Sequence, residues 1–324
     1  MLKNYFIAAI RAIRRSPWEA MLKIFAIAAG VCASVIHLAF FSSGDFSDFH
    51  ELWPSLVLIF LGAALLEQFY GQPQNTGEYK VRIILGDEDL LMRGRKITEA
   101  ALVIFAGVIL GLVISDSYFT YFHKTNLLIP EGQYMPGILI LGFFHFTFFL
   151  FTVWFGSAIG VKSDSIRFST FSKTLAGGLI FVTSLFAIFW SVTSQETSIG
   201  FRIYLFDIVA LSCFSYASWN KLAQYTLESK VRQFSTMKLQ GASTLRMLFY
   251  WIQQLGPSAL ISVGLSILIG NLYLILEMPF KNSALSALIT FSWTAFITVI
   301  IILGLSQAIA RGFKQETNGF INHE

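Results

Sequence analysis

Lys80-Val81-Arg82-Ile83-Ile84-Leu85-Gly86-Asp87 is a short basic segment that ends on a glycine. About 155 residues later Met237-Lys238-Leu239-Gln240-Gly241-Ala242-Ser243 repeats it in outline, with Lys230 and Arg232 just upstream. Each copy lies between long apolar runs. A charged elbow set twice between apolar runs predicts two halves built on one plan.

The apolar runs that flank the elbows set the class. Hydrophobic residues are 55% of the 324 positions, charged residues 13%, and the mean hydropathy is +0.64. A soluble domain carries roughly 25% charge, so the chain reads as an all-α, polytopic membrane protein. A helix needs about 20 mostly apolar residues to cross the hydrocarbon core. Eight runs qualify, over residues 22–42, 53–70, 97–115, 135–157, 174–193, 202–219, 248–275 and 285–309. Gly256-Pro257 marks a kink in the long seventh run. The expected organisation is an amphipathic helix over 1–20 and two four-helix repeats over 21–160 and 161–324.

Charge gives the orientation. With both termini in the cytoplasm, the outside receives only Lys124, Arg202 and Lys281 of the 23 Lys and Arg residues. That bias is the positive-inside rule, so the net charge of +4 reports topology and not nucleic-acid binding. The N-terminal segment is charged and lacks a small-residue cleavage site, which predicts that the first span is retained. Cys32 and Cys213 fall inside predicted spans without the spacing of a disulfide framework or zinc site, and read as packing residues.

Leu2, Tyr5, Phe6, Ala9, Ile10 and Ile13 follow the periodicity of one helical face, with Lys3, Asn4, Arg11, Arg14 and Arg15 opposite. Such a helix lies in the membrane surface, with Arg11, Arg14 and Arg15 toward anionic head groups. Pro17 suits the turn into the first span.

The run from Leu2-Lys3-Asn4-Tyr5 through Arg14-Arg15-Ser16, leading into Ile27-Ala28-Ala29-Gly30-Val31, resembles the N-terminus of MacB/FtsX-like permeases, the membrane subunits of type VII ABC transporters. Lys238-Leu239-Gln240-Gly241-Ala242-Ser243-Thr244-Leu245-Arg246, followed by an apolar stretch from Gly256 to Gly270, is similar to that family's basic stretch, turn, short cytoplasmic helix and Gly-rich span. The first elbow matches less well, since Asp87-Glu88-Asp89 follows Gly86. Arg167-Phe168-Ser169-Thr170-Phe171-Ser172-Lys173-Thr174-Leu175 looks like the opening of the second repeat in eight-span members.

The resemblance implies a non-catalytic permease subunit in the bacterial inner membrane. It would couple ATP hydrolysis in separate cytoplasmic ATPase subunits, two by the repeat, to export or mechanical signalling. The coupling residues it implies are Lys80, Arg82, Gly86 and Leu90 in the first elbow, and Lys238, Gly241, Ser243, Leu245 and Arg246 in the second. Glycine permits the sharp turn, and Asp87–Met92 and Ala242–Met247 begin helices whose N-termini suit acids or Ser. No cofactor is expected in this chain; ATP-Mg belongs to the partner, and membrane lipids and no nucleic acid complete the list. A second permease or an extracytoplasmic protein is a further candidate partner. Family members carry a large extracytoplasmic domain between the first two spans of a repeat, whereas here those connections are about residues 43–52 and 194–201. Loops of roughly ten residues connect helices and hold no folded domain.

The outside loop 115–134 carries Tyr118, Phe119, Tyr121, Phe122 and His123, which read as an interfacial belt or a partner contact. Among intramembrane acids Asp207 is the candidate functional residue, because a charge in lipid is costly. Glu67 and Glu99 lie near the inner ends of their spans, Glu99 within reach of Arg95 or Lys96. His37 and His145 stand alone in apolar runs. No phosphate loop, His-Glu-x-x-His or nucleophile elbow occurs, which argues against catalysis by this chain. The alternative function is an ATP-independent scaffold or a secondary transporter.

Overall fold

The computed structural model describes residues 2–42, 53–71, 89–123, 134–160, 165–193 and 198–229, and scattered residues between 236 and 269. The first elbow up to Glu88, most of the predicted seventh span and all of the eighth lie outside these. The chain divides into two compact units, one of residues 1–164 and 197–214, the other of residues 165–196 and 215–324.

In unit 1 an amphipathic helix, α1 (Leu2–Arg15), is followed after one residue by α2 (Pro17–Ser42). Ser16 is the joint. Pro17 has no N–H to continue α1 but fits the first position of α2, where the Ser16 carbonyl already accepts from Ala20 N–H at 3.1 Å. Then come α3 (Trp53–Tyr70), α4 (Asp89–His123) and α5 (Tyr134–Gly160).

The contacts fix how these helices run. Gly107 of α4 meets Ile24 and Ile27 of α2, and Gly111 meets Ala28 and Val31, so α2 and α4 run parallel. Phe148 and Phe149 of α5 meet Phe60 and Gly62 of α3, and Gly156 meets Glu67, so these two are parallel as well. Gly142 against Leu112 and Phe146 against Phe105 set α5 antiparallel to α4. The four therefore alternate up and down.

Lipid is as apolar as leucine, so helices in it associate by close packing and not by the hydrophobic effect. Gly107-Val108-Ile109-Leu110-Gly111 supplies that here: a Cβ at Gly111 would lie 2.7 Å from the Ala28 carbonyl oxygen, and one at Gly107 would lie 2.8 Å from Ile27 Cβ. The outward faces are apolar; Leu139, Ile140, Phe143, Phe151, Trp154 and Phe155 of α5 are all exposed.

Unit 2 contains α6 (Ser165–Thr193) and the second part of α7 (Ser198–Ser229), whose first part belongs to unit 1. Phe168 packs on Tyr225, Trp219 Nε1 donates to the Ala176 carbonyl at 3.0 Å, and Thr183 and Ser215 share a hydrogen bond at 3.1 Å. These pairs make the two helices antiparallel.

Among the described residues, five helices are long and apolar enough to cross a membrane: Pro17–Leu38, Trp53–Tyr70, Met92–Tyr121, Leu139–Gly156 and Ile166–Ala187. The protein is an all-helical, multi-pass membrane protein. The predicted sixth span, 202–219, is a helix of 32 residues but is not among the five. The described part of that helix runs through Ser215, Ser218, Asn220, Lys221 and Thr226, all of them buried. A helix buried nearly all round can carry polar groups that a lipid-facing one cannot.

Two expectations are revised. Residues 115–123 are not loop but the last turns of α4, which at 35 residues is about 52 Å long and outruns the hydrocarbon core. Nothing from Asp89 onward breaks that helix, so the start after the first elbow is continuous with the span instead of a separate short helix.

Candidate functional site

Asp207 lies on α7 and is wholly buried; it is held against His37 of α2. His37 Nε2 is 2.5 Å from Asp207 Oδ2, with His37 itself only 8% exposed. Asp207 Oδ1 is buried and has no hydrogen-bond partner among the described residues. A carboxylate so placed needs a cation or a proton, since an uncompensated charge in a low-dielectric interior is very costly. About two turns along from the pair, the Phe214 ring packs where a Gly30 Cβ would sit, 2.5 Å from that point, and also reaches Gly62 of α3. At the other side Tyr118 of α4 packs edge-on to Phe206 at 4.9 Å. His37 and Asp207, each set in an apolar run of the sequence, are thus one paired site between α2 and α7.

A second charged cluster closes the opposite end of the bundle. Lys23 of α2 is 6% exposed and bridges Glu19 at 3.2 Å and Glu99 of α4 at 3.5 Å. Its ammonium also sits over the rings of Phe69 and Tyr70 at the end of α3, 5.1 and 4.6 Å from their centroids. Cation–π contacts of this kind gain strength when desolvated. Lys23 reads in the sequence as one more topogenic charge; the Glu19–Lys23 spacing of four residues was the available signal for an ion pair. Glu99 is bound to Lys23 through this bridge. Lys23 and His37 are fourteen residues apart on α2, roughly 21 Å along the helix.

The second elbow is a joint between two helical segments. Gly241 has φ +77°, in the left-handed region that favours glycine, and an added Cβ would touch nothing. Glycine is required there by backbone conformation alone. Ala242 N–H donates to the Met237 carbonyl at 2.9 Å, the six-to-one bond that closes a helix around a left-handed residue. Two residues on, Ser243 caps the next segment: its Oγ accepts from Arg246 N–H at 3.3 Å, and its carbonyl accepts from Met247 N–H at 3.1 Å. Met247 is buried, while Leu245, 64% exposed, and Arg246 point outward.

Of the other residues singled out in the sequence, Lys80, Arg82, Gly86 and Lys238 lie outside the described residues, and Leu90 is in the first turn of α4. Arg11, Arg14 and Arg15 are exposed on α1. That helix seats Ala9 and Tyr5 inward, the Tyr5 ring lying 3.1 Å from a Cβ at Gly94 of α4, and leaves Phe6 and Ile7 exposed. Cys32 and Cys213 are free thiols, and among the described residues no three His, Cys, Asp or Glu side chains converge as a metal site. His145 Nδ1–H donates to the Leu141 carbonyl of its own helix at 2.7 Å. Comparison with protein-family models, with curated proteins and with solved structures found no match.

Proposed function

We propose that this chain is the permease subunit of an ABC transporter of the MacB/FtsX-like type, with both termini in the cytoplasm of a bacterium and its spans in the inner membrane. Separate cytoplasmic ATPase subunits drive it by pushing on the elbows. The observation that carries this reading is the joint at Gly241 and Ser243. A push is transmitted only by a stiff element, and here two helical segments meet through a closed left-handed turn and an immediate cap. Leu245 and Arg246 face outward, an apolar and a cationic contact for a partner, while Met247 anchors the segment inward. Coupling extends through Lys238 and, in the first elbow, through Lys80, Arg82, Gly86 and Leu90. The charge asymmetry of the sequence supports a cytoplasmic side for both elbows.

The test is copurification with an ATP-binding subunit, followed by Arg246→Glu and Leu245→Asp. Losing a contact at the centre of an interface weakens binding by about tenfold or more. Membrane insertion is expected to persist while stimulation of ATPase activity by the permease is lost. Normal stimulation in both variants would sink the role assigned to the joint. A second reading, a secondary transporter or scaffold that needs no ATPase, is favoured by the buried His37–Asp207 pair, since paired ionisable groups inside a membrane bundle mark ion and proton pathways. Transport that continues after removal of the ATPase would select it.

A further inference from the structure

We infer that His37 and Asp207 form a proton-binding site, in which one proton held between the imidazole and the carboxylate latches the first part of α7 to α2. The inference does not depend on the transporter assignment above.

The geometry leads to it in steps. The two groups are 170 residues apart in sequence yet 2.5 Å apart in space, and both are buried. With one proton on the pair, either as imidazolium and carboxylate or as imidazole and carboxylic acid, no net charge is left in the bundle. Removing that proton to water leaves a buried carboxylate beside a neutral ring; adding a second leaves a buried imidazolium beside a neutral acid. Each change strands one charge in a low-dielectric interior, which is the costly state. The site therefore binds α7 most strongly when it holds one proton, and loosens when the count changes.

Among the described residues, His37 is the charged group that acts on Asp207. From α4, Tyr118 meets Phe206 through its ring, and Asp116 is present at the same end without acting on Asp207. From α2, Cys32 is engaged with Ser115 of α4. Phe214 on Gly30 and Gly62 and Phe206 on Tyr118, which also hold this part of α7, are ring packing and are indifferent to pH. The polar pair is thus the switchable element of the α2–α7 contact, and unpartnered Asp207 Oδ1 is the acceptor that remains for an incoming proton.

The experiment uses the full chain in vesicles of neutral lipid, with carbon-13-labelled aspartate. The Asp207 carboxyl infrared band is assigned by its disappearance in Asp207→Asn and followed with pH in the wild type and in His37→Gln. In parallel, hydrogen exchange of residues 205–214, corrected for intrinsic chemistry, is followed with pH in the wild type and in the double variant H37Q/D207N. The double variant has no charge to strand, so it folds even where a single substitution does not. Expected are a titration midpoint for Asp207 that moves by about one pH unit or more without His37, and exchange that accelerates across the same transition in the wild type alone. A band that titrates alike with and without His37 overturns the shared proton. Exchange with the same pH profile in the wild type and the double variant overturns the latch.

Discussion

Replacing Gly111 by alanine tests whether glycine contacts hold the first unit together. The added methyl would lie 2.7 Å from the Ala28 carbonyl oxygen and 2.9 Å from Val31 Cβ. Carbon pairs prefer about 3.5–4.0 Å, so α2 and α4 would have to separate by roughly 0.6 Å, and a gap of that order forfeits about a quarter of the dispersion well for the atoms that lose contact. Neither obstacle is the end of a flexible side chain. Overpacking of this kind costs about 1–3 kcal/mol, against which alanine gains about 1 kcal/mol of helix propensity over glycine. Net destabilisation of about 1 kcal/mol, the middle of the resulting range, is expected. Gly178 of α6 is the internal control, because an added methyl there meets nothing within 4 Å. Gly178→Ala should stabilise by about 1 kcal/mol. Gly107→Ala should resemble Gly111→Ala, and the double variant should cost less than the sum, since helices already moved apart for one methyl accommodate the other. Unfolding midpoints in a denaturing detergent series provide the measurement. If Gly111→Ala is as stable as Gly178→Ala, the close helix contact does not hold the unit.

Further substitutions probe the two other clusters. Gly241→Ala should lose about 1 kcal/mol by forcing a Cβ into the left-handed region, and Gly241→Asn clearly less; Ser243→Ala should lose about 1 kcal/mol through the missing cap. Equal stability of the alanine and asparagine variants, read by protease resistance of the 236–247 segment, would refute the backbone reading. Lys23→Met should destabilise by about 2 kcal/mol, below the range for fully buried pairs because Glu19 and Glu99 keep some solvent. Adding Glu99→Gln should recover part of that loss, and a double-mutant cycle that returns no coupling would remove the bridge from consideration.

Helices were readable where one kind of residue dominated. The runs 53–70 and 135–157 agree with α3 and α5 within three residues because their environments are uniformly apolar and their ends carry Pro54 and Pro136 in the first turn. The extent of α7 was not readable: Asn220 and Lys221 look like the end of a span, yet the helix continues through them to Ser229 with both buried. Periodicity likewise found α1 but could not tell that Tyr5 and Ala9 face α4 while Phe6 stays exposed, since an apolar face has no label for protein or lipid.

The site shows the same division more sharply. Asp207 was legible as costly and His37 as isolated, because each is conspicuous against an apolar background; their partnership was not, because contact across 170 residues leaves no trace in one sequence. Gly107 and Gly111 were legible in principle through their four-residue spacing. Gly241 is the opposite case. Its requirement is set by its own φ, so a local reading of Gln240-Gly241-Ala242-Ser243 reached the turn and the cap without any tertiary knowledge. Local chemistry thus identifies the stiff joint through which force could enter, whereas only the fold brings together the pair on which a proton could act. The two devices make separable demands on experiment: the joint should respond to Arg246→Glu at any pH, and the pair should respond to pH with the joint intact.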